Sequence, residues 1–171
     1  EGERVWGHDT EYDIFLGHTQ APTSSTREFT ATTSHPFEYG HFIVAHNGVL
    51  ENHYQLAKEY NLPAEEIAVD SQIIPRLLEY MYIGDDVKAI QETCDKLKGI
   101  FSCWIYSKHT SQTYVVRSGC TLYTDKDLNT FTSVQSNSAR LEIPEGRILC
   151  FTSEGLTDVG EFKSNSPFFI L

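Results

Sequence analysis

Val44-Ala45-His46-Asn47-Gly48-Val49-Leu50-Glu51-Asn52 is the stretch on which the reading of this chain turns. It continues an apolar run, His41-Phe42-Ile43-Val44-Ala45-His46, that reads as a strand. Asn-Gly tolerates positive φ, so a tight turn is expected at Asn47-Gly48, ending the strand there. The same dipeptide supports a second use: an Asn side-chain amide and a Gly backbone N–H, side by side, suit the stabilisation of a developing negative oxygen. On these two residues alone, turn and oxyanion hole both stay open. A short helix is expected next, from Asn52 to Tyr60, stopped before Pro63.

Upstream, Asp13-Ile14-Phe15-Leu16 reads as a short strand running into Gly17-His18-Thr19, followed by a polar loop over 20–34. Loops of this length inside a domain are usually functional. Downstream, Asp70-Ser71 precedes a helix whose Ile73, Ile74, Leu77, Leu78 and Met81 share one face, with Pro75 tolerable only near its first turn. Asp70 is either an N-cap of that helix or a carboxylate that holds a substrate ammonium, and one aspartate does not separate the two. Asp85 or Asp86 caps a further helix carrying Val87, Ile90, Cys94 and Leu97. From Gly99 the period changes to strands, at 100–106, 113–117, 121–124, 130–134, 147–152 and 156–159. Helices followed by many strands predict an α+β domain with helices packed on antiparallel sheets.

The 171 residues suit one domain, and a formal net charge of −11 leaves no basic surface for nucleic acid. No run approaches 18 apolar residues, so no membrane helix is expected. Cys94, Cys103, Cys120 and Cys150 form no CxxC pair; Cys103 and Cys150 sit in apolar runs as small buried thiols, and a reduced, cytoplasmic protein fits best. The seven histidines show no HExxH or comparable spacing, and His41 and His46 lie on opposite sides of a strand, so no metal site is expected. Ser24 and Ser25 lack a GxSxG context.

The order of the segments is more specific than any one of them. Gly17-His18-Thr19-Gln20-Ala21-Pro22-Thr23, His35-Pro36-Phe37, Val44 to Asn52, Val69-Asp70-Ser71-Gln72-Ile73-Ile74, Leu97-Lys98-Gly99-Ile100-Phe101-Ser102 and Val116-Arg117-Ser118-Gly119 follow one another as the motifs of class II glutamine amidotransferases do. The region from about Gly17 to Glu154 therefore resembles the glutaminase domain of that family, most nearly the glutaminase halves of glucosamine-phosphate synthase and amidophosphoribosyltransferase.

The resemblance implies an N-terminal nucleophile fold, a four-layer αββα sandwich. It implies a cysteine at mature position one, activated by its own α-amine, that attacks the side-chain amide of glutamine and releases ammonia. Asn47 and Gly48 would stabilise the oxyanion, Asp70 would hold the α-ammonium, and Thr23 would line the same pocket, with His46 and Gln20 among the substrate-binding positions. No cofactor is expected. Two departures follow. The sequence opens on Glu1, about 16 residues before Gly17; its first strands and nucleophile are expected on a segment upstream or on a second fragment. Gln20 stands where the family has the arginine that grips the substrate carboxylate, and Arg27 is a candidate replacement. The leading expectation is a glutaminase domain supplying ammonia to an acceptor on another polypeptide. The alternatives are a non-catalytic binding or structural subunit and an amidohydrolase acting on a different amide.

Overall fold

A computed structural model describes residues 14–19, 30–152 and 154–165. Strand β1 (Phe37–Tyr39) turns into β2 (Phe42–Leu50). Helices α1 (His53–Glu59), α2 (Ile73–Met81) and α3 (Asp86–Lys96) follow. Strands β3 (Gly99–Ser107), β4 (Gln112–Ser118), β5 (Tyr123–Thr124), β6 (Phe131–Thr132), β7 (Leu141–Glu142), β8 (Arg147–Thr152) and β9 (Gly155–Glu161) complete the order. Six strands form one antiparallel sheet in the order β1-β2-β3-β4-β8-β9, and β6-β5-β7 form a small second sheet. The class is α+β, as the element order predicts.

The helices cover one face of the large sheet. Ile73, Ile74, Leu77 and Leu78 of α2 are fully buried and share one cluster with Phe42 and Val44 of β2, Cys103 and Ile105 of β3, and Ile90 and Cys94 of α3. Each large aliphatic side chain buried in this way contributes about 1.5–3 kcal/mol. Pro75 is the third residue of α2, in the first turn, where its missing N–H removes no intrahelical bond. Asp85 caps α3 by accepting the Lys88 N–H at 3.0 Å. The buried Asp86 accepts hydrogen bonds from Ser107, Thr110 and Tyr114, tying α3 to the β3–β4 hairpin. On the other face Val115, Leu149 and Leu156 pack with Leu122 and Ile143 around Trp104, Phe131 and Phe151. Among the described residues no helix is long and apolar enough to cross a membrane.

Three local expectations are corrected. Asn47-Gly48 is not a turn: β2 continues through both to Leu50, with Asn47 opposite Ser102 and Gly48 opposite Phe101 on β3. Gly48 has φ +137, and a Cβ there would drive into the backbone carbonyl of Ile100. The glycine thus serves a close approach of two strands, which local sequence does not distinguish from a turn. Ile14 to Leu16 do not form a strand; residues 14–19 run without regular structure, and the indole N–H of Trp104 donates to the Gly17 carbonyl at 3.1 Å in place of a ladder. The strands expected at 121–124 and 130–134 shrink to two residues each, and β1 and β7, of three and two residues, were too short to leave an alternating pattern.

Candidate functional site

The second half of β2 opens on a cavity of about 550 Å³. Its lining includes His46, Asn47, Gly48 and Leu50 from β2, and Asp70 and Ser71 from the 3₁₀ turn that leads into α2. His18, His35, His53 and the Ser133–Val134 segment close the remaining sides. The volume lies in the range of small-molecule sites. A second cavity, of about 450 Å³, shares His18, Thr19, Asn47, Ser133 and Val134 and continues along Ala45, Ser102 and Trp104. Asn47 stands at the border of the two.

Asp70 is positioned from both sides. Its Oδ2 accepts the Leu50 N–H at 2.8 Å and its Oδ1 accepts the Ser71 N–H at 2.9 Å. Asp70 therefore caps neither helical element: Val69 and Gln72 occupy those positions. The carboxylate instead ties the end of β2 to the start of α2. Oδ1 also accepts the Ser71 hydroxyl at 3.4 Å, while Oδ2 keeps a lone pair for a further donor. The segment before α2 is fixed by Gln72, whose Oε1 accepts the N–H groups of Ala68 and Val69 at 2.7 and 3.0 Å and whose Nε2 donates to the Thr32 carbonyl at 2.8 Å.

Asp70 is the single carboxylate in the described lining, which holds no lysine or arginine. His46 is buried, with Nδ1 2.8 Å from Ser71 Oγ. Burial lowers its pKa, against the opposing pull of the Asp70 charge, so the ring is neutral at neutral pH. The His18 ring bonds to the His46 backbone, and burial lowers its pKa as well. The rings of His18 and His35 lie 4.2 Å apart. The cavity thus combines imidazoles and an amide with one carboxylate and no lysine or arginine, suited to a cationic, hydrogen-bonding ligand end.

His46, Asn47, Gly48 and Asp70, singled out from sequence, meet on this one cavity. Gln20 and Thr23, and with them Ala21 and Arg27, lie outside the described residues. His18 and His35 belong to quoted segments but carried no chemical reading; the fold sets their rings against each other and His18 against the His46 backbone. Ser133 and Val134 were read only as part of the strand expected at 130–134 and carried no functional signal. None of the four cysteines lines either cavity. Cys94, Cys103 and Cys150 are buried and Cys120 half-buried, and burial raises the pKa of all four, which disfavours the thiolate form a nucleophile needs.

A glutamine amidotransferase domain family matches residues 28–138. The glutamine–fructose-6-phosphate aminotransferase (isomerizing) of Aquifex aeolicus is 31% identical over 107 residues, 61% of this chain and 18% of that protein. The 7-cyano-7-deazaguanine synthase 2 of Sulfurisphaera tokodaii is 28% identical over 62% of this chain and 23% of its own length. The chain thus spans about a fifth of these curated relatives. Among solved structures, a glutamine aminotransferase class-II domain protein from Silicibacter pomeroyi superposes with TM-score 0.58 at 15% identity, over 75% of this chain and 71% of that one. The glutamine phosphoribosylpyrophosphate amidotransferase of B. subtilis superposes with TM-score 0.54 at 16% identity, over 71% of this chain and 29% of that one. At these identities the structural likeness carries the fold, the family match carries the kinship, and the chain belongs to the class II glutamine amidotransferase domain family.

Proposed function

We propose that this chain forms most of a glutaminase site that hydrolyses the side-chain amide of glutamine to glutamate and ammonia. A thiolate attacks the amide carbon, a C–S bond forms, and the carbonyl oxygen becomes an oxyanion held by the Asn47 amide and the Gly48 N–H. The intermediate collapses as the C–N bond breaks and the nitrogen leaves, protonated, as ammonia. Water then adds to the thioester, and the C–S bond breaks to give glutamate and regenerate the thiol. Asp70 receives the substrate α-ammonium; His46 lines the pocket as a neutral donor or acceptor, and Thr23 and Gln20 belong to the same substrate shell. The observation that carries this reading is the opening of Asn47, Gly48 and Asp70 on one cavity whose described lining holds one carboxylate and no lysine or arginine.

The thiol is proposed to come from residues preceding Glu1 or from a second polypeptide, because all four cysteines in hand are withdrawn from the cavity. With that contribution the domain becomes the four-layer αββα sandwich, and its ammonia passes to an acceptor held by a synthase on another polypeptide. Four free thiols and an acidic surface support a reducing, cytoplasmic setting. A second reading, a binding or structural relative without turnover, draws on the same withdrawal of the thiols. Reaction of the natural full-length protein with a glutamine-analogue electrophile, followed by peptide mass mapping, separates the two. The enzymatic reading expects a label on a cysteine other than Cys94, Cys103, Cys120 and Cys150, together with glutamate formation from glutamine. An unlabelled protein that forms no glutamate supports the second reading and removes the first.

A further inference from the structure

At the opposite end of β2 from the cavity, three potential metal ligands converge from three separate elements. His41 lies in the β1–β2 turn, His109 in the β3–β4 turn and Glu79 in the last turns of α2. One ligand atom from each lies within 4.8 Å of the other two. The Lys108 N–H donates to the His41 carbonyl at 2.8 Å, which ties the two turns together. The His41 and His109 rings stack at 3.9 Å, and Tyr82 stacks on the outer face of His109 at 3.9 Å and 8°.

We propose that His41, Glu79 and His109 form a binding site for a divalent transition metal of the zinc type. Two imidazoles and a carboxylate are the donor set such ions prefer over magnesium or calcium, which take mainly oxygen. A tetrahedral shell with metal–ligand bonds of about 2.0–2.2 Å places neighbouring donors about 3.4 Å apart. Closing from the present spacing requires the His41 and His109 rings, now stacked, to turn their nitrogens toward one point; the His41 and Glu79 side chains are 53% and 27% exposed. The carboxylate is already oriented, since Oε2 accepts the His41 backbone N–H at 2.9 Å and Oε1 lies 3.0 Å from His41 Nδ1. A metal would replace the proton shared on that second contact while the first is kept, the usual outer support of a metal-binding carboxylate. Tyr82 does the same for the His109 ring by stacking. The neighbouring cation, Lys108, is engaged by Glu38 and so leaves the site to the carboxylate. Exposure on the open side lets water complete the coordination.

Zn²⁺ alone, titrated into the chelator-treated full chain by calorimetry, tests the site. One equivalent is expected to bind. His41→Ala and His109→Ala should each weaken the affinity at least about tenfold, the lower bound for losing even an outer support. Glu79→Gln keeps an acceptor for the His41 N–H and should weaken it as well. Histidine side-chain NMR of the unaltered protein needs no variant: Zn²⁺ should move the His41 and His109 imidazole signals and spare those of His18, His35 and His46. Absence of binding, signals that move at the cavity histidines instead, or an affinity unchanged from the unaltered protein in both alanine variants overturns the proposal.

Discussion

Strand β2 is held at its two ends by two carboxylates from one helical segment, and the ends nonetheless differ in kind. Asp70, at the start of the segment, accepts the N–H of Leu50; Glu79, near its close, accepts the N–H of His41. Each carboxylate has a histidine beside it, His46 on β2 at one end and His41 in the turn just before β2 at the other. At the first end the group stands half-buried in a cavity beside the buried His46, and at the second it lies nearer the surface among stacked, exposed rings. The same local device serves a concave pocket at one end and a surface ligand cluster at the other.

The largest effect that would sharpen this contrast is catalytic. In the full-length protein, Asn47→Ala should lower kcat by about 10²–10³-fold, or about 2.7–4 kcal/mol, with KM much less changed, since the oxyanion exists only near the transition state. Steady-state glutamate release measures it, and a KM effect with intact kcat would make Asn47 a binding residue only. Next, each end of β2 has a glycine with positive φ, Gly48 at +137 and Gly40 at +57. Gly48→Ala should cost about 2–4 kcal/mol, because its Cβ meets backbone that cannot move. Gly40→Ala should cost about 1–2 kcal/mol, because its Cβ meets only the movable Glu79 carboxylate. Equal urea midpoints for the two variants would erase the distinction between the ends.

The carboxylates themselves come third. Asp70→Ala should lose about 1.5–3 kcal/mol, the range for hydrogen bonds to a charged group with a partly buried partner. Glu79→Ala, on the open surface, should lose under about 1 kcal/mol. Urea unfolding at unchanged m measures both. The smallest effect is the response to acid. Burial holds the His46 pKa below the ordinary histidine value. The unfolded chain therefore takes up a proton near pH 6.5 that the folded chain refuses. Stability should fall as the pH drops below about 6.5, by at most about 1.4 kcal/mol per pH unit for this one residue, until the folded ring titrates. His46→Asn should flatten that slope. Glu79 acts in the same direction but at lower pH: although desolvation pulls its pKa up, the His41 hydrogen bonds and the two histidine charges leave it lowered. Its contribution is present above its ordinary value near 4.5 and is lost as the pH falls through the folded pKa, so this end should loosen later in an acid titration than the cavity end.

The parts of the molecule that were legible in sequence are those whose signal is periodic or ordered along the chain. Ile73, Ile74, Leu77 and Leu78 announce the buried face of α2, and the six segments in series announce the family. Asn47-Gly48 shows where legibility stops. The dipeptide states a backbone tolerance, and only the approach of Ile100 on β3 says whether that tolerance makes a turn or a tight strand pair. Asp70 is a similar case: its side chain was read against its own helix, whereas its partner Leu50 lies on another element. His41, Glu79 and His109 carried no spacing signal at all, because each arrives from a different element. What pairing across the fold brings together has no signature in any short window.

The register of β2 carries a consequence for how the molecule assembles. β2 meets β3 with residue 42 opposite 107 and residue 50 opposite 99, so all three helices lie inside the loop that this pairing closes. The β3–β4 and β8–β9 pairs close across short turns. Loop entropy favours the short closures, and contacts of high sequence separation are late and slow. The local hairpins should be in place before β2 arrives, so the His46–Leu50 wall of the cavity and the meeting of His41 with His109 belong to one late event in folding. By the same logic they belong to one opening in the native state: amide exchange at residues 42–50 should rise together, at both ends of the strand, while the β3–β4 hairpin stays protected.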